Sequence, residues 1–187
     1  MRTRAPGQSA LLLLDAIDRL MEERVDYAVI GAMAASVHGA IRATLDADAL
    51  LSVGLPKVRK LQKSFQIAGF DTELRQGDAD DPIPALLTVG DRHGNRVDLL
   101  AGLRGLDPDA FARAIEVPFH GGILRVIGRE DFIAMKCFAG GPQDIADARQ
   151  AVATADGPLD VGLLRRVTRR FGRSAADHLE QILGPRL

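Results

Sequence analysis

Three aspartates and a glycine turn are the residues whose types and spacing suit chemistry. Asp46 and Asp48 end the run Arg42-Ala43-Thr44-Leu45-Asp46-Ala47-Asp48, Asp98 lies fifty residues beyond Asp48, and Gly31-Ala32 stands upstream. Side chains alternate faces along a strand, so a strand over residues 45 to 51 points Asp46 and Asp48 the same way. Gly31-Ala32 sits where the apolar run Tyr27-Ala28-Val29-Ile30 stops and a small-residue helix pattern from Ala32 to His38 begins. Backbone N–H groups at such a helix start favour phosphate. Asp98 interrupts the apolar run Val97-Asp98-Leu99-Leu100-Ala101, and an ionised group at a partly buried strand position is costly unless paired or bound to a metal. If the Asp98 strand lies beside the Asp46 strand, three carboxylates ring a site for a hard divalent cation, Mg2+ by preference. Next to an anion cradle, that is a site for a metal-bound polyphosphate. An Asp-x-Asp pair alone also occurs in solvated loops.

The elements that must position these residues follow from periodicity and breakers. Ser9 can cap a helix to about Glu23 with Leu12, Ala16 and Leu20 on its apolar stripe, and a strand at 26 to 30 follows. Pro56 opens a helix through Ile67, Gly69 ends it, and Phe70 to Leu74 reads as a strand before a polar loop at 77 to 84. Ala85 to Val89 and Arg96 to Leu100 flank a glycine-containing connection, Asp91 to Asn95, which predicts an antiparallel hairpin. A second hairpin, Ala114 to Phe119 and Ile123 to Ile127 around Gly121-Gly122, is expected at the sheet edge. Beyond Arg129 the pattern is helical over about 129 to 139, 142 to 155, 160 to 171 and 173 to 183, with glycine breaks between.

Composition sets the outer bounds. At 187 residues and 47% hydrophobic the chain can bury a full core without disulfides, and a net charge of −1 argues against a protein held to nucleic acid by bulk charge. The one cysteine, Cys137, cannot form an internal disulfide and reads as a small packed apolar group. Leu11 to Leu14 is too short to span a membrane or act as a secretory segment, so no membrane role is expected and the chain is read as cytoplasmic.

The run Tyr27-Ala28-Val29-Ile30-Gly31-Ala32-Met33-Ala34-Ala35, with His38-Gly39, Arg42, Thr44 and Asp46-Ala47-Asp48, resembles the minimal nucleotidyltransferases of the DNA polymerase β-like superfamily. Within these it is similar to the abortive-infection toxin branch, where a glycine-rich turn and short helix precede Arg-x-Thr-x-Asp-x-Asp. Asn95-Arg96-Val97-Asp98-Leu99-Leu100 resembles the strand bearing the third carboxylate. Glu130 to Lys136 with Asp144 and Asp147 resembles the family's Lys…Asp-x-x-Asp helical segment. The likeness runs from about residue 20 to 155.

It implies an α/β (α+β) nucleotidyltransferase fold, a mixed β-sheet flanked by helices with a C-terminal helical portion. The expected division is a core over 1–128 and a helical portion over 129–187 packed on it as one compact domain. It further implies catalytic, metal-binding Asp46, Asp48 and Asp98, nucleotide contacts from Gly31, Ala32, Arg42, Thr44 and Lys136, Mg2+ or Mn2+ as cofactor, and an NTP as substrate. In that arrangement Asp46 and Asp48 hold the nucleotide-bearing metal and Asp98 helps deprotonate an acceptor hydroxyl on tRNA, protein or a small molecule, with a cognate antitoxin as a possible partner.

Two departures stand out. Ala32 replaces the usual second Gly or Ser of the turn, adding a methyl where backbone must approach phosphate, and Gln143 precedes Asp144 where Lys or Arg is common. They keep open a nucleotide-binding or regulatory module of the same fold without catalysis. An antibiotic-modifying transferase is a further reading.

Other residues have plain readings beside the functional ones. Arg42 and Thr44 suit phosphate and ligand contacts but equally a solvated loop, and Lys136 suits a triphosphate or a snorkelling surface role. Asp144 and Asp147, spaced i, i+3, are expected to cap or to pair with Arg149. His38 reads as a packed helix-end residue and His93 as an exposed turn residue. Arg165, Arg166, Arg169, Arg170 and Arg173 recur on one broad helix face, which suits a nucleic-acid backbone or simply solvent.

Overall fold

The computed structural model describes residues 1–40, 46–154 and 157–184. In chain order it contains α1 (Ser9–Glu22), β1 (Tyr27–Val29), α2 (Gly31–Val37), β2 (Ala47–Leu51), α3 (Leu55–Ile67), β3 (Asp71–Gln76), β4 (Ala85–Gly90) and β5 (Arg96–Ala101). A 3-10 turn at Pro108–Ala110, not foreseen from the sequence, precedes β6 (Ile115–Phe119) and β7 (Gly122–Val126). Then come α4 (Arg129–Ala139), α5 (Pro142–Ala153), α6 (Val161–Arg169) and α7 (Arg173–Leu183). Among the described residues, no helix is long and apolar enough to cross a membrane.

The strands form one mixed sheet in the order β3-β4-β5-β2-β1-β7-β6. Antiparallel ladders join β1 to β2, β3 to β4 and β4 to β5, while β2 and β5 run parallel. A parallel pair needs a long crossover, and the α3–β3–β4 segment supplies it. The edge strands defend themselves: β3 carries Asp71, Glu73 and Arg75, and β6 carries Pro118.

Two compact units divide the chain. The first comprises Met1–Met33, Ala43–Arg104 and Glu116–Arg125; the second comprises Ala34–Arg42, Gly105–Ile115 and Val126–Leu187. In the first, α1 and α3 pack on the sheet, against β2 and β5 and against β3 and β4. Strand alternation puts Ala85, Leu87 and Val89 of β4, Val97, Leu99 and Ala101 of β5, and Ala47, Ala49 and Leu51 of β2 on one face, and all nine are buried. Each fully buried leucine among them contributes about 1.5–3 kcal/mol relative to exposure. Asp48, Thr88 and Asp98 have the opposite parity.

In the second unit α4 is the hub, packed on α5, α6 and α7. Phe138 stacks on Phe171 with ring centroids 4.9 Å apart, and Arg113 makes a two-pronged bond to buried Asp131 (Nε to Oδ2 2.7 Å, a second guanidinium N–H to Oδ1 2.8 Å). Cys137 is buried, and desolvation pushes its thiol up to about 12, so it behaves as an inert apolar group.

Ser9 corrects an expectation. It is the first helical residue of α1 rather than its cap, which is Gln8, and its hydroxyl accepts the Arg96 backbone N–H at 3.3 Å. A tertiary contact from β5 to α1 has replaced local capping. His93, expected exposed, is half-buried in a turn organised by Asp91. Asp91 Oδ1 accepts the N–H groups of His93 (2.8 Å) and Asn95 (3.0 Å), and its Oδ2 accepts from Asn95 Nδ2 (2.8 Å). Asn95 passes the network to the N-terminal segment, donating to Ala5 O (2.9 Å) and accepting from Gln8 N–H (2.7 Å).

This turn generates the first prediction. Burial at 5% exposure pushes the Asp91 carboxyl up, but the bonds from Asn95 and the turn N–H groups outweigh it and hold the group below the usual carboxylate range. A depressed folded-state value stabilises the protein above the unfolded value near pH 4, and that contribution fades as pH falls through the folded value. Asp91→Ala should cost about 2–3 kcal/mol in urea unfolding at pH 7, and Asp91→Asn should lose the wild-type pH dependence below about pH 4.

Candidate functional site

The site is built where β2 meets β5. Asp48 and Asp98 are register partners in the parallel ladder, on the same face of neighbouring strands roughly 4.8 Å apart, and both are half-buried. The strand begins at Ala47, later than the sequence suggested, so Asp46 stands exposed just before it. Arg42 and Thr44 lie outside the described residues.

Gly31 opens α2 directly after β1, with φ of +64°, a left-handed conformation that glycine adopts without strain. The Ile30 N–H donates to Asp48 O at 2.9 Å, clipping this turn to β2. A Cβ on Gly31 would collide with Asp48 Oδ2 and lie 3.1 Å from its Cγ. Phosphate approach was the expected reason for a glycine here; the structure adds a second, since the Asp48 carboxylate occupies the space a side chain would need. Ala32 is buried.

Thr88 is a site residue that the sequence reading missed. Its hydroxyl donates to Asp98 Oδ1 at 2.6 Å from the opposing position on β4. A signal was present: the hairpin pairs are symmetric about residue 93, which sets Thr88 opposite Asp98.

Among the described residues, no three His, Cys, Asp or Glu side chains are gathered closely enough to hold a metal ion by themselves. Mg2+ rarely uses an all-protein cage; it keeps waters and takes one or two carboxylates together with substrate phosphates. The hard oxygen donors of Asp48 and Asp98, side by side with Asp46 at the strand mouth, fit an ion of that kind.

In the second unit Lys136 is almost fully buried, its ammonium 2.8 Å from Asp144 Oδ1 and 2.9 Å from Asp147 Oδ2, with the Phe132 ring centroid at 5.7 Å. Asp144 and Asp147 therefore find Lys136 rather than the expected Arg149. Gln143 also serves this cluster, donating to Asp147 Oδ1 at 2.9 Å. A phosphate at Lys136 would have to compete with both carboxylates. His38 packs as expected: its Nε2 lies 2.8 Å from Ile127 O and its ring 5.1 Å from that of Phe132, and burial holds its imidazole below the usual range.

The arginine stripe is broken. The α6 helix ends at Arg169, and Gly172 at φ +101° starts a new helix with Arg173, so the five do not share one helical face. Arg165 forks onto Glu180 (2.9 and 3.0 Å) and Arg170 donates to Gly105 O and Leu106 O, while Arg166, Arg169, Arg170 and Arg173 are all exposed.

No protein family matches the chain in sequence, and no curated protein does. Solved structures do match in shape. The antibiotic-resistance factor ANT(2'')-Ia superposes with a TM-score of 0.62 at 15% identity, covering 94% of this chain and 97% of that one. An antigenic nucleotidyltransferase-like protein from Paracoccidioides brasiliensis gives 0.53 at 17% identity over 94% and 91%. The lincosamide antibiotic adenylyltransferase LnuA gives 0.50 at 12% identity over 82% and 100%. At these identities the likeness is one of fold: the chain has the mixed α/β architecture of nucleotidyltransferase-like proteins.

Two outcomes follow from the contacts. Gly31→Ala should destabilise by more than the roughly 1–2 kcal/mol of a left-handed alanine, and thermal unfolding should show part of that cost relieved when Asp48→Gly clears the collision. Lys136→Met should cost about 3–5 kcal/mol in urea unfolding by taking the opposite charge away from Asp147, which is 2% exposed, with recovery when Asp147→Leu removes the carboxylate as well.

Proposed function

We propose that this chain is a metal-dependent nucleotidyltransferase that moves a nucleoside monophosphate from an NTP to an acceptor hydroxyl. The observation that carries the reading is the register pairing of Asp48 with Asp98 beside the Gly31 turn. The nucleotidyltransferase-like fold supports it.

Asp46, Asp48 and Asp98 are the residues to hold Mg2+ or Mn2+, which when bound would neutralise the phosphates and acidify the acceptor hydroxyl. Asp98 takes the hydroxyl proton as the acceptor oxygen bonds to the α-phosphorus; the bond to the bridging oxygen breaks and pyrophosphate leaves with its electron pair. The backbone at Gly31 and Ala32 is the part of the first unit suited to phosphate, and the resemblance assigns Arg42, Thr44 and Lys136 to nucleotide contacts, Lys136 in competition with Asp144 and Asp147. The resemblance to the toxin branch supports tRNA or protein as acceptor and a cognate antitoxin as partner. The likeness to ANT(2'')-Ia and LnuA supports a small hydroxyl-bearing acceptor, and the broken arginine stripe weakens the case for RNA.

The test is transfer of α-phosphate label from each NTP with Mg2+ to total RNA, to protein extract, or to aminoglycoside and lincosamide probes. Mg2+-dependent label in one class is expected, abolished by chelation and reduced by at least about a thousandfold in Asp48→Asn and Asp98→Asn. No label in any class, or an Asp98→Asn variant at wild-type rate, overturns the reading. NTP binding without transfer would make the chain a nucleotide-binding module instead.

A further inference from the structure

We infer that Thr88 is a positioning residue for this transfer, holding Asp98 in the one orientation that serves both the ion and the acceptor proton; the inference rests on the nucleotidyl-transfer reading above. The strand order β4-β5-β2 puts Thr88 and Asp48 on opposite flanks of Asp98. The 2.6 Å bond from the Thr88 hydroxyl engages Asp98 Oδ1 from the β4 side, leaving Oδ2 outside this bond. A hydroxyl-to-carboxylate bond of that length is of the strong, charge-assisted kind.

Asp98 needs such a holder. Its register partner on β2 is another carboxylate, and like charges one strand apart repel, so an untethered Asp98 would rotate away from Asp48. Its same-face neighbours along β5 are Arg96, which is exposed, and Leu100, which offers no hydrogen bond. Thr88 is half-buried with χ1 restricted by its branched Cβ, so the donor is itself held in place. Groups that orient a metal-binding carboxylate usually matter by roughly 10–100-fold in metal affinity or activity.

The experiment compares wild type, Thr88→Val, Thr88→Ser, Asp98→Asn and the Thr88→Val/Asp98→Asn double variant. Thermal unfolding confirms that each folds, kinetics separate kcat from the KM for the NTP, and electron paramagnetic resonance measures Mn2+ bound in the presence of α,β-methylene-ATP. Thr88→Val is expected to lower kcat and weaken Mn2+ retention by roughly 10–100-fold while leaving the KM within about twofold. Thr88→Ser, which keeps the donor, should restore both to within about threefold, and in the Asp98→Asn background the valine should add nothing. A Thr88→Val protein with wild-type kcat and Mn2+ retention, a serine variant as impaired as the valine, or a full valine effect without the Asp98 carboxylate overturns the assignment and leaves the transfer reading standing. A wild type that neither transfers label nor retains Mn2+ with the analogue overturns the transfer reading, and this inference with it.

Discussion

The register of β2 against β5 is the constraint on which the rest of the site depends. It sets Asp48 beside Asp98, and it is held by apolar pairs on the other face, Ala47 with Val97, Ala49 with Leu99 and Leu51 with Ala101. A slip of one residue would carry Asp98 into the layer beneath α1 and push Val97 and Leu99 out of it. The hydrophobic effect on one face thus positions the charges on the other. The same logic runs through the β4–β5 hairpin, where the buried Asp91 and Asn95 turn fixes the pairing that sets Thr88 opposite Asp98.

Helix packing and strand pairing bring carboxylates to different kinds of neighbour. In the second unit Lys136 sits between Asp144 and Asp147, and Arg113 between Asp107 and Asp131, so buried carboxylates are neutralised within the fold. Along β2 and β5 two carboxylates are instead brought together by strand pairing, with the Gly31 backbone pressed against one and the Thr88 hydroxyl bonded to the other. Juxtaposed like charges oppose folding, and a cation relieves them. Local rules broken in this way are the expected signature of a functional site in an otherwise consistent fold.

Most elements were legible in the sequence because their signals are local. Proline at the start of α3, the Asp91–Asn95 connection and the glycines around α4 to α7 mark boundaries within a residue or two of those observed, and the apolar run around Asp98 marked that carboxylate as out of place. The Asp-x-Asp spacing and the glycine after β1 marked the candidate site for the same reason. Ser9 misled because a capping residue and a first-turn residue look alike until the Arg96 N–H arrives from β5.

What the sequence determined by itself is therefore the set of elements and the face each side chain takes along its own strand or helix, since those follow from the 2.0 and 3.6 residue periods. The tertiary structure alone decided which elements meet. Nothing within residues 46–48 or 96–98 says that β2 and β5 pair in parallel with Asp48 opposite Asp98, because that register is set by packing under α1 and by the α3–β3–β4 crossover. Nor do the spacings around Lys136 or the C-terminal arginines reveal their partners. Lys136 takes Asp144 and Asp147, and Arg165 takes Glu180, because consecutive helices fold back on one another and charges pair with whatever that packing brings within reach.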